Sequence, residues 1–459
     1  MGLTDEQNEV YDTILTYLKQ NPNNRYILNE FGILVLNAPA GTGKTHLITY
    51  INNNLNVNMV ILAPTHKACE VINSKLENQK GCSTIHRFLN AEEEIDEITG
   101  EITFKMKNKA ISNHLIIIDE ASMVNKNMFE KFTLLSKNNL VFFIGDAFQI
   151  PPVKESKSVV FTLQNQLTLT KNMRSTKSLS NHYLQKFRDG VEKISTTMIN
   201  MNDKKNNSFI RNEFKNNKDV IILAWTNSKV KHWNNLIREH KFYDKLDELD
   251  KLDKFYKDEK LLFSGYRCVN ADLKNNIPED IKYYSNDTIN IKYLEKKNLD
   301  IKYPKCQHMI NTDLKGTGLN MEISHEKRKN GCSLCDIKSH RNESKSIKFY
   351  EITDQYNVVW YKSIYEEFKD IRVILNEYKH KALKLKNKET WIEYYSMKNK
   401  YDPELNYSYS STVHKAQGSA WDTVFVDINN IRFNKSMSDN TRLAYTAVSR
   451  MSDTVYFTN

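Results

Sequence analysis

Two short stretches hold the residue types best suited to chemistry. Ala38 to Thr45 read A-P-A-G-T-G-K-T, a phosphate-loop pattern with Ala38 in place of the first glycine. Gly41 and Gly43 let backbone N–H groups face a phosphate with no Cβ in the way. The loop Ala40, Gly41, Thr42 and Gly43 would cradle the phosphates, with a helix start aimed at the same anion. Lys44 would reach the β- and γ-phosphates of a nucleoside triphosphate, and the Thr45 hydroxyl would bind Mg²⁺. The second stretch, Leu115 to Glu120, reads L-I-I-I-D-E. Asp119 suits the shell of a Mg²⁺ ion, and Glu120 suits a base that orients or deprotonates water. Alone, one is a glycine-rich turn and the other an acidic strand end. Together they point to nucleotide hydrolysis. Gln149, in GDAFQIPPV, sits in a loop stiffened by paired prolines and can report γ-phosphate occupancy to a neighbouring surface.

These residues need strands to hold them. Ile33–Leu36, Asn58–Ala63, Leu115–Ile118, Leu140–Ile144 and Leu167–Leu169 are apolar runs separated by helix-like segments, the signature of a parallel, doubly wound sheet. Ligands of such sheets bind outside the carboxyl ends of the strands, where these motifs fall. Before them, Thr4 or Asp5 is placed to cap a helix with Val10, Ile14 and Leu18 on its apolar face. A second unit of the same type is expected at Val220–Ala224, with a helix near Asn227 to Glu239. It resumes with a strand at Val424–Ile428, a helix near Thr441–Val448 and a strand at Thr454–Phe457. Between about residues 261 and 403 the alternation is lost, which marks an inserted domain. Asp244 to Lys260, dense in Asp and Lys, reads as a solvated helix or linker.

Bulk properties agree with this and exclude other classes. A chain of 459 residues implies several domains, and 40% hydrophobic residues can build cores. Lys and Arg number 66 against 56 Asp and Glu, a weak pointer to a polyanionic partner. No segment has the apolar length of a membrane span. The start MGLTDEQNEV is unlike a signal peptide, and six cysteines in so long a chain make no secreted framework. The expected setting is intracellular: cytoplasm, nucleus or a viral replication site.

APAGTGKT, APTHKA, TIHRF, IIIDEAS, GDAFQIPPV, TKNMR, STVHKAQGSAWD and RLAYTAVSR occur in this order. This set resembles the superfamily 1 helicases, in the branch with RecD-like, Dda-like and Pif-like enzymes. The resemblance covers about residues 4–174 and 220–457. It implies two RecA-like domains with ATP between them, and Gln7 reading adenine. It also picks out two arginines that spacing alone does not, Arg174 and Arg450, for stabilising transition-state charge. It implies single-stranded DNA touching Pro64, Thr65, His66, Lys67, Thr84 and His86 from the first domain. Ser411, Thr412, His414 and Lys415 would touch it from the second. Polar residues of this kind grip phosphates without reading sequence. Phe88, Trp225 and Trp421 are candidate stacking platforms, with core packing the alternative, which is favoured for Trp233.

Ala91 to Lys109 surround a Thr99-Gly100 turn and read as a β-hairpin outside the sheet order. In Dda-like enzymes a hairpin here is a strand-separating pin, with Ile98, Ile102 or Phe104 as candidate wedges. The inserted domain in such enzymes holds a small SH3-like barrel, and Tyr283, Tyr284 and Asn286 resemble its start. Cys306-x-His308 followed by Cys332-x₂-Cys335 suits a structural zinc site, with His325 and His340 as competing ligands and unrelated Cys and His residues as the alternative. Cys69, Cys82 and Cys268 are expected as plain buried thiols.

The resulting expectation is an α/β chain divided at 1–174, 175–260, 261–403 and 404–459. The hairpin lies at about 90–109 and the zinc insertion at about 303–341. The expected activity is that of a monomeric ATP- and Mg²⁺-dependent DNA helicase moving 5′ to 3′ on single-stranded and forked DNA. Single-strand binding and replication proteins are its expected associates. The alternatives are a translocase with little unwinding, an RNA helicase or an NTP-dependent remodelling factor.

Overall fold

A computed structural model describes residues 2–20, 32–76, 81–152, 155–164, 166–173, 178–193, 199, 203–217, 219–242, 255–256, 259–263, 267–269, 281–283, 288–304, 344–364, 367–434 and 436–458. They form a mixed α/β structure of two compact units. One comprises Met1–Ala91, Met106–Lys245 and Tyr409–Asn459, and the other Glu92–Lys105 and Leu246–Ser408.

In chain order the first unit opens with a helix, Asp5–Gln20, then β1 (Ile33–Asn37), β2 (Met59–Ala63) and β3 (Ser83–Thr84). The hairpin β4 (Glu92–Ile95) and β5 (Ile102–Lys105) belongs to the second unit. Then come β6 (Leu115–Ile118), β7 (Leu140–Gly145) and β8 (Leu167–Thr168). These six strands, hairpin excluded, hydrogen-bond in the order β3-β2-β6-β7-β1-β8 with every pair parallel. β1, β6 and β7 are buried along nearly their whole length, which explains their unbroken apolar runs. Because these three are neighbours, the phosphate loop, Asp119 and Asp146 emerge side by side from one edge.

A second parallel sheet in the same unit contains β9 (Lys204–Lys205), β10 (Val220–Ala224), β18 (Ser410–Thr412), β19 (Trp421–Val426) and β20 (Met451–Thr458). Its order is β18-β10-β19-β20-β9. Helices Ser178–Glu192 and Met437–Val448 supply Phe187, Leu443, Tyr445 and Val448 to its core. The strand expected at Val424–Ile428 starts three residues earlier and ends two residues earlier. Trp421 and Asp422 join the sheet although they are not fully buried, and Ile428 instead opens the short helix Ile428–Arg432, capped by Asp427. Trp233 is buried and donates Nε1–H to Asp427, in keeping with core packing.

The second unit contains β11 (Lys260–Phe263), β12 (Arg267–Val269), β13 (Ile281–Tyr283), β14 (Thr288–Lys302), β15 (Ser344–Asp354), β16 (Val359–Ser363) and β17 (Leu405–Tyr407). β12 pairs with β13. The others form an antiparallel sheet ordered β16-β15-β14-β11-β17. The unit also contains two helices, Phe368–Leu385 and Lys388–Tyr401. Lys386 breaks them in the left-handed region at φ 48°, and the Asn387 side chain caps the second. Hairpin and second helix pack within this unit. Trp391 Nε1–H donates to the Glu97 carbonyl at 2.9 Å, and the Tyr395 hydroxyl to the Gly100 carbonyl at 2.6 Å. Gly100 has φ 73°, and a Cβ there would lie 2.4 Å from the Trp391 ring. Ile98, Ile102 and Phe104 are 61%, 37% and 42% exposed on this hairpin.

Among the described residues no helix is long and apolar enough to cross a membrane.

Candidate active site

The phosphate loop leaves β1 and turns into helix Lys44–Asn54 through Gly41 and Gly43, both at φ 86°. No side chain caps this helix, so its first N–H groups stay available to an anion. Lys44 Nζ lies over the loop and donates to the carbonyls of Ala38 and Pro39 at 2.9 and 3.1 Å. The Thr42 hydroxyl donates to Pro39, and Met173 N–H to the Gly41 carbonyl at 2.6 Å. Arg174, the next residue, lies outside the described residues.

Gln7 is buried against this loop. Its Nε2 donates to the carbonyls of Thr42 and Gly43, and its Oε1 accepts from Thr4 N–H. Gln7 N–H in turn approaches the Thr4 hydroxyl at 3.3 Å, a capping box that fixes the start of the first helix. Thr4, rather than Asp5, is the cap. Glu6 accepts hydrogen bonds from Thr170 and Lys171, and these hold its carboxyl below the usual value. The first helix thus braces the phosphate loop through Gln7 and the segment after β8 through Glu6.

Asp119 is buried at the end of β6 and accepts from Glu120 N–H at 2.8 Å. Burial, with the Glu120 charge beside it, raises its carboxyl to about 6; Lys44 and Arg450 pull the other way. Glu120 adopts φ 51°, a left-handed conformation rare for a residue with a side chain. One of its oxygens lies 3.6 Å from Arg450 Nη1. Arg450 comes from the second sheet, is 4% exposed, and is held by the Ser449 hydroxyl and, at 3.5 Å, by the Ser419 carbonyl. Gln149 donates to Asp146 at 3.3 Å. Glu120 Oε2 and Gln149 Oε1 are buried oxygens with no hydrogen-bond partner. Such oxygens, Glu120 Oε2 next to Asp119 and Gln149 Oε1 next to Asp146, are hard donors fit for Mg²⁺ and its water shell.

Asp146 was missed in the sequence, although its motif was read. It is fully buried and accepts hydrogen bonds from Ala40 N–H of the phosphate loop, Phe148 N–H, Gln149 Nε2 and the Tyr445 hydroxyl. Its place at the end of β7, between the other two motif-bearing strands, was the available signal.

The expected DNA contacts divide. Pro64, Thr65, His66 and Lys67 are partly exposed where β2 runs into helix His66–Asn73. The Thr65 hydroxyl caps that helix, and Lys67 pairs with Glu70. His86 is partly buried, which lowers its imidazole. His414 is exposed and Lys415 partly so. Thr84, Ser411 and Thr412 are buried. Thr84 caps helix Ile85–Phe88, and the Ser411 and Thr412 hydroxyls face backbone within their own turn. Phe88 is a correction. It is 7% exposed and stacked on Phe132 at 6.5 Å, so it is a core residue without a free face for a base. Its spacing on a short amphipathic helix already allowed that outcome. Trp225 and Trp421 are partly buried against the second core.

Cys306, His308, Cys332 and Cys335, with His325 and His340, lie outside the described residues. Among the described residues no three His, Cys, Asp or Glu cluster to hold a metal ion. Cys69 and Cys82 are buried free thiols.

A family model described as an AAA domain matches residues 26–155, and one described as the UvrD-like helicase C-terminal domain matches 407–458. The protein R530 of Acanthamoeba polyphaga mimivirus is 26% identical over 504 residues, 97% of each chain. The RecBCD enzyme subunit RecD of Buchnera aphidicola subsp. Schizaphis graminum is 24% identical over 422 residues, 77% of this chain and 67% of its own. The ATP-dependent DNA helicase dda of Enterobacteria phage T4 is 27% identical over 168 residues, 35% of each chain.

Proposed function

We infer that this chain, a member of the superfamily 1 helicases in the branch of RecD-like, Dda-like and Pif-like enzymes, is an ATP-dependent DNA helicase. One observation carries the reading. Arg450 of the second parallel sheet reaches Glu120 of the first, beside the phosphate loop and Asp119. A hydrolytic site completed by a residue from another sheet turns over only when the two sheets close on each other. Closure and release can therefore be converted into movement along a strand.

In this reading Lys44 and the loop from Ala40 to Gly43 hold the phosphates, and Thr45 and Asp119 hold Mg²⁺. The ion neutralises phosphate charge when bound. Glu120 orients the attacking water. Gln149 senses the γ-phosphate, and Arg450, with Arg174, stabilises the transition state. Gln7 reads the adenine edge. Pro64, Thr65, His66, Lys67, His86, His414 and Lys415 supply the strand contacts. The DNA is single-stranded at the motor and forked ahead of it, and movement is 5′ to 3′. The two parallel sheets serve as RecA-like domains 1–174 and 175–260 with 404–459, interrupted by an SH3-like insertion.

The exposed residues Ile98, Ile102 and Phe104, on a hairpin held by Trp391 and Tyr395, support its role as a strand-separating pin. Deleting Glu97 to Thr103 should spare DNA-stimulated ATP turnover and abolish unwinding; intact unwinding removes the pin.

The whole reading is tested by ATP turnover with single-stranded DNA or RNA, and by strand displacement on 5′- and 3′-tailed duplexes. DNA-stimulated turnover and displacement of the 5′-tailed duplex alone are expected. Stimulation by RNA only, or turnover without displacement, selects an RNA helicase or a translocase instead.

A further inference from the structure

The loop from Asp146 to Ile150 lies between the two parallel sheets, and the second sheet's elements grip it at four points. The Tyr445 hydroxyl donates to Asp146 Oδ2 at 2.6 Å. The Thr446 hydroxyl accepts from Ile150 N–H at 3.1 Å. Gln417 Nε2 donates to the Ile150 carbonyl at 3.0 Å, and Arg442 Nη1 to the Ala147 carbonyl at 2.9 Å. Asp146, Gln149, Gln417 and Tyr445 are all buried, so these bonds are shielded from water and geometrically demanding.

Two features make this more than packing. The same Asp146 oxygen that receives the tyrosine proton also receives Ala40 N–H of the phosphate loop and Gln149 Nε2. A shift of Tyr445 is therefore felt by two groups that face the phosphates. In addition, Gln417 is followed by Gly418 at φ 78°, where a Cβ would lie 2.7 Å from the Thr65 hydroxyl and 3.3 Å from Ala68. Consecutive residues thus touch the phosphate-side loop and the start of helix His66–Asn73, where the strand contacts were assigned.

We propose that Tyr445 and Gln417 are positioning residues that set Gln149 and the phosphate loop according to the placement of the 413–418 turn on helix His66–Asn73. Strand binding at that helix is transmitted through the turn to the hydrolytic groups. Neither residue is among those assigned to nucleotide or strand; Tyr445 acts through Asp146 and Gln417 through Ile150. The proposal rests on the motor reading above.

The test is steady-state ATP turnover of the full chain with and without single-stranded DNA, together with thermal melts. Tyr445→Phe removes one hydroxyl and keeps the ring in its core. Its ratio of DNA-stimulated to DNA-free turnover should fall about tenfold, with KM for ATP within about twofold of wild type. Gln417→Ala should lower the same ratio. Asp146→Ala combined with Tyr445→Phe should be no worse than Asp146→Ala alone, because the Tyr445 hydroxyl acts only through Asp146. If both rates fall together, in step with a lower melting temperature, the residues are structural and the proposal is overturned. A Tyr445→Phe chain stimulated as fully as wild type overturns it alone. A wild-type chain with no DNA stimulation overturns the motor reading, and this proposal with it.

Discussion

The first unit contains the same corner twice. In the first sheet β1 runs into helix Lys44–Asn54 through six residues. In the second, β10 runs into helix Asn227–Lys241 through Trp225 and Thr226 alone. At the second corner the Trp225, Thr226 and Lys229 N–H groups have side-chain partners. The Thr226 hydroxyl accepts from Lys229 N–H, and Asn430 Oδ1 accepts from both Trp225 and Thr226 N–H. At the first, glycines replace capping side chains, and the helix start has no side-chain cap. The strand-end carboxylates differ in the same way. Asp427 binds Trp233 and Asn430, which closes it as a structural group. Among the described residues Asp119 accepts only from its neighbour Glu120, and it stays buried beside Lys44. A ligand site is thus the version of the corner whose polar groups the fold leaves for something else.

Arg450 tests whether the second sheet completes the first corner. Arg450→Ala should lower ATP turnover by about 10³-fold while fluorescent-nucleotide affinity stays near wild type. An equal loss of affinity would assign the residue to binding. Gly43→Ala tests the first corner itself. Its φ of 86° and the 2.5 Å approach of a Cβ to Gln7 Nε2 should distort the loop. Turnover and nucleotide affinity should fall together, by about 10²-fold.

Asp119 adds a pH test. Its folded-state value of about 6 exceeds the ordinary 3.8. The protonated acid is therefore favoured by folding, and the stability it lends below pH 3.8 is lost as pH rises through about 6. In nucleotide-free protein, Asp119→Asn should raise the melting temperature at pH 7.5 and lose that advantage toward pH 4. For Mg²⁺ the sign is opposite, because only the carboxylate binds. The Mg²⁺ concentration for half-maximal turnover should climb below pH 6. A flat profile would show that Asp119 is ionised throughout. The smallest effect belongs to the second corner. Asn430→Ala should cost about 1–3 kcal/mol in urea unfolding and leave turnover within about twofold.

The first corner was legible because its chemistry dictates residue types. Glycines, Lys44 and Thr45 in fixed order have few other uses, and the apolar runs of β1, β6 and β7 announced strands buried on both faces. The second corner left weaker traces, since Thr226 and Asn430 look like any turn residues until the chain brings them together from about two hundred positions apart. Tyr445 was hidden for the same reason. It lies on an apolar helix, and only the distant Asp146 gives its hydroxyl a purpose. The β19 boundary was misplaced because Trp421 pairs with Met451 at a sheet end that burial does not mark. Phe88 was overread because an aromatic near a polar motif has the same spacing whether it faces a base or Phe132.

The meeting of Gly100 with Trp391 also limits how this chain can vary over evolutionary time. The turn needs a left-handed residue and the indole occupies the space of its Cβ, so neither position can drift alone. Sequence change there must be concerted. A side chain at position 100 calls for a smaller ring or none at 391, together with a turn of another geometry. Two sites almost three hundred residues apart in the chain would then be inherited as a pair.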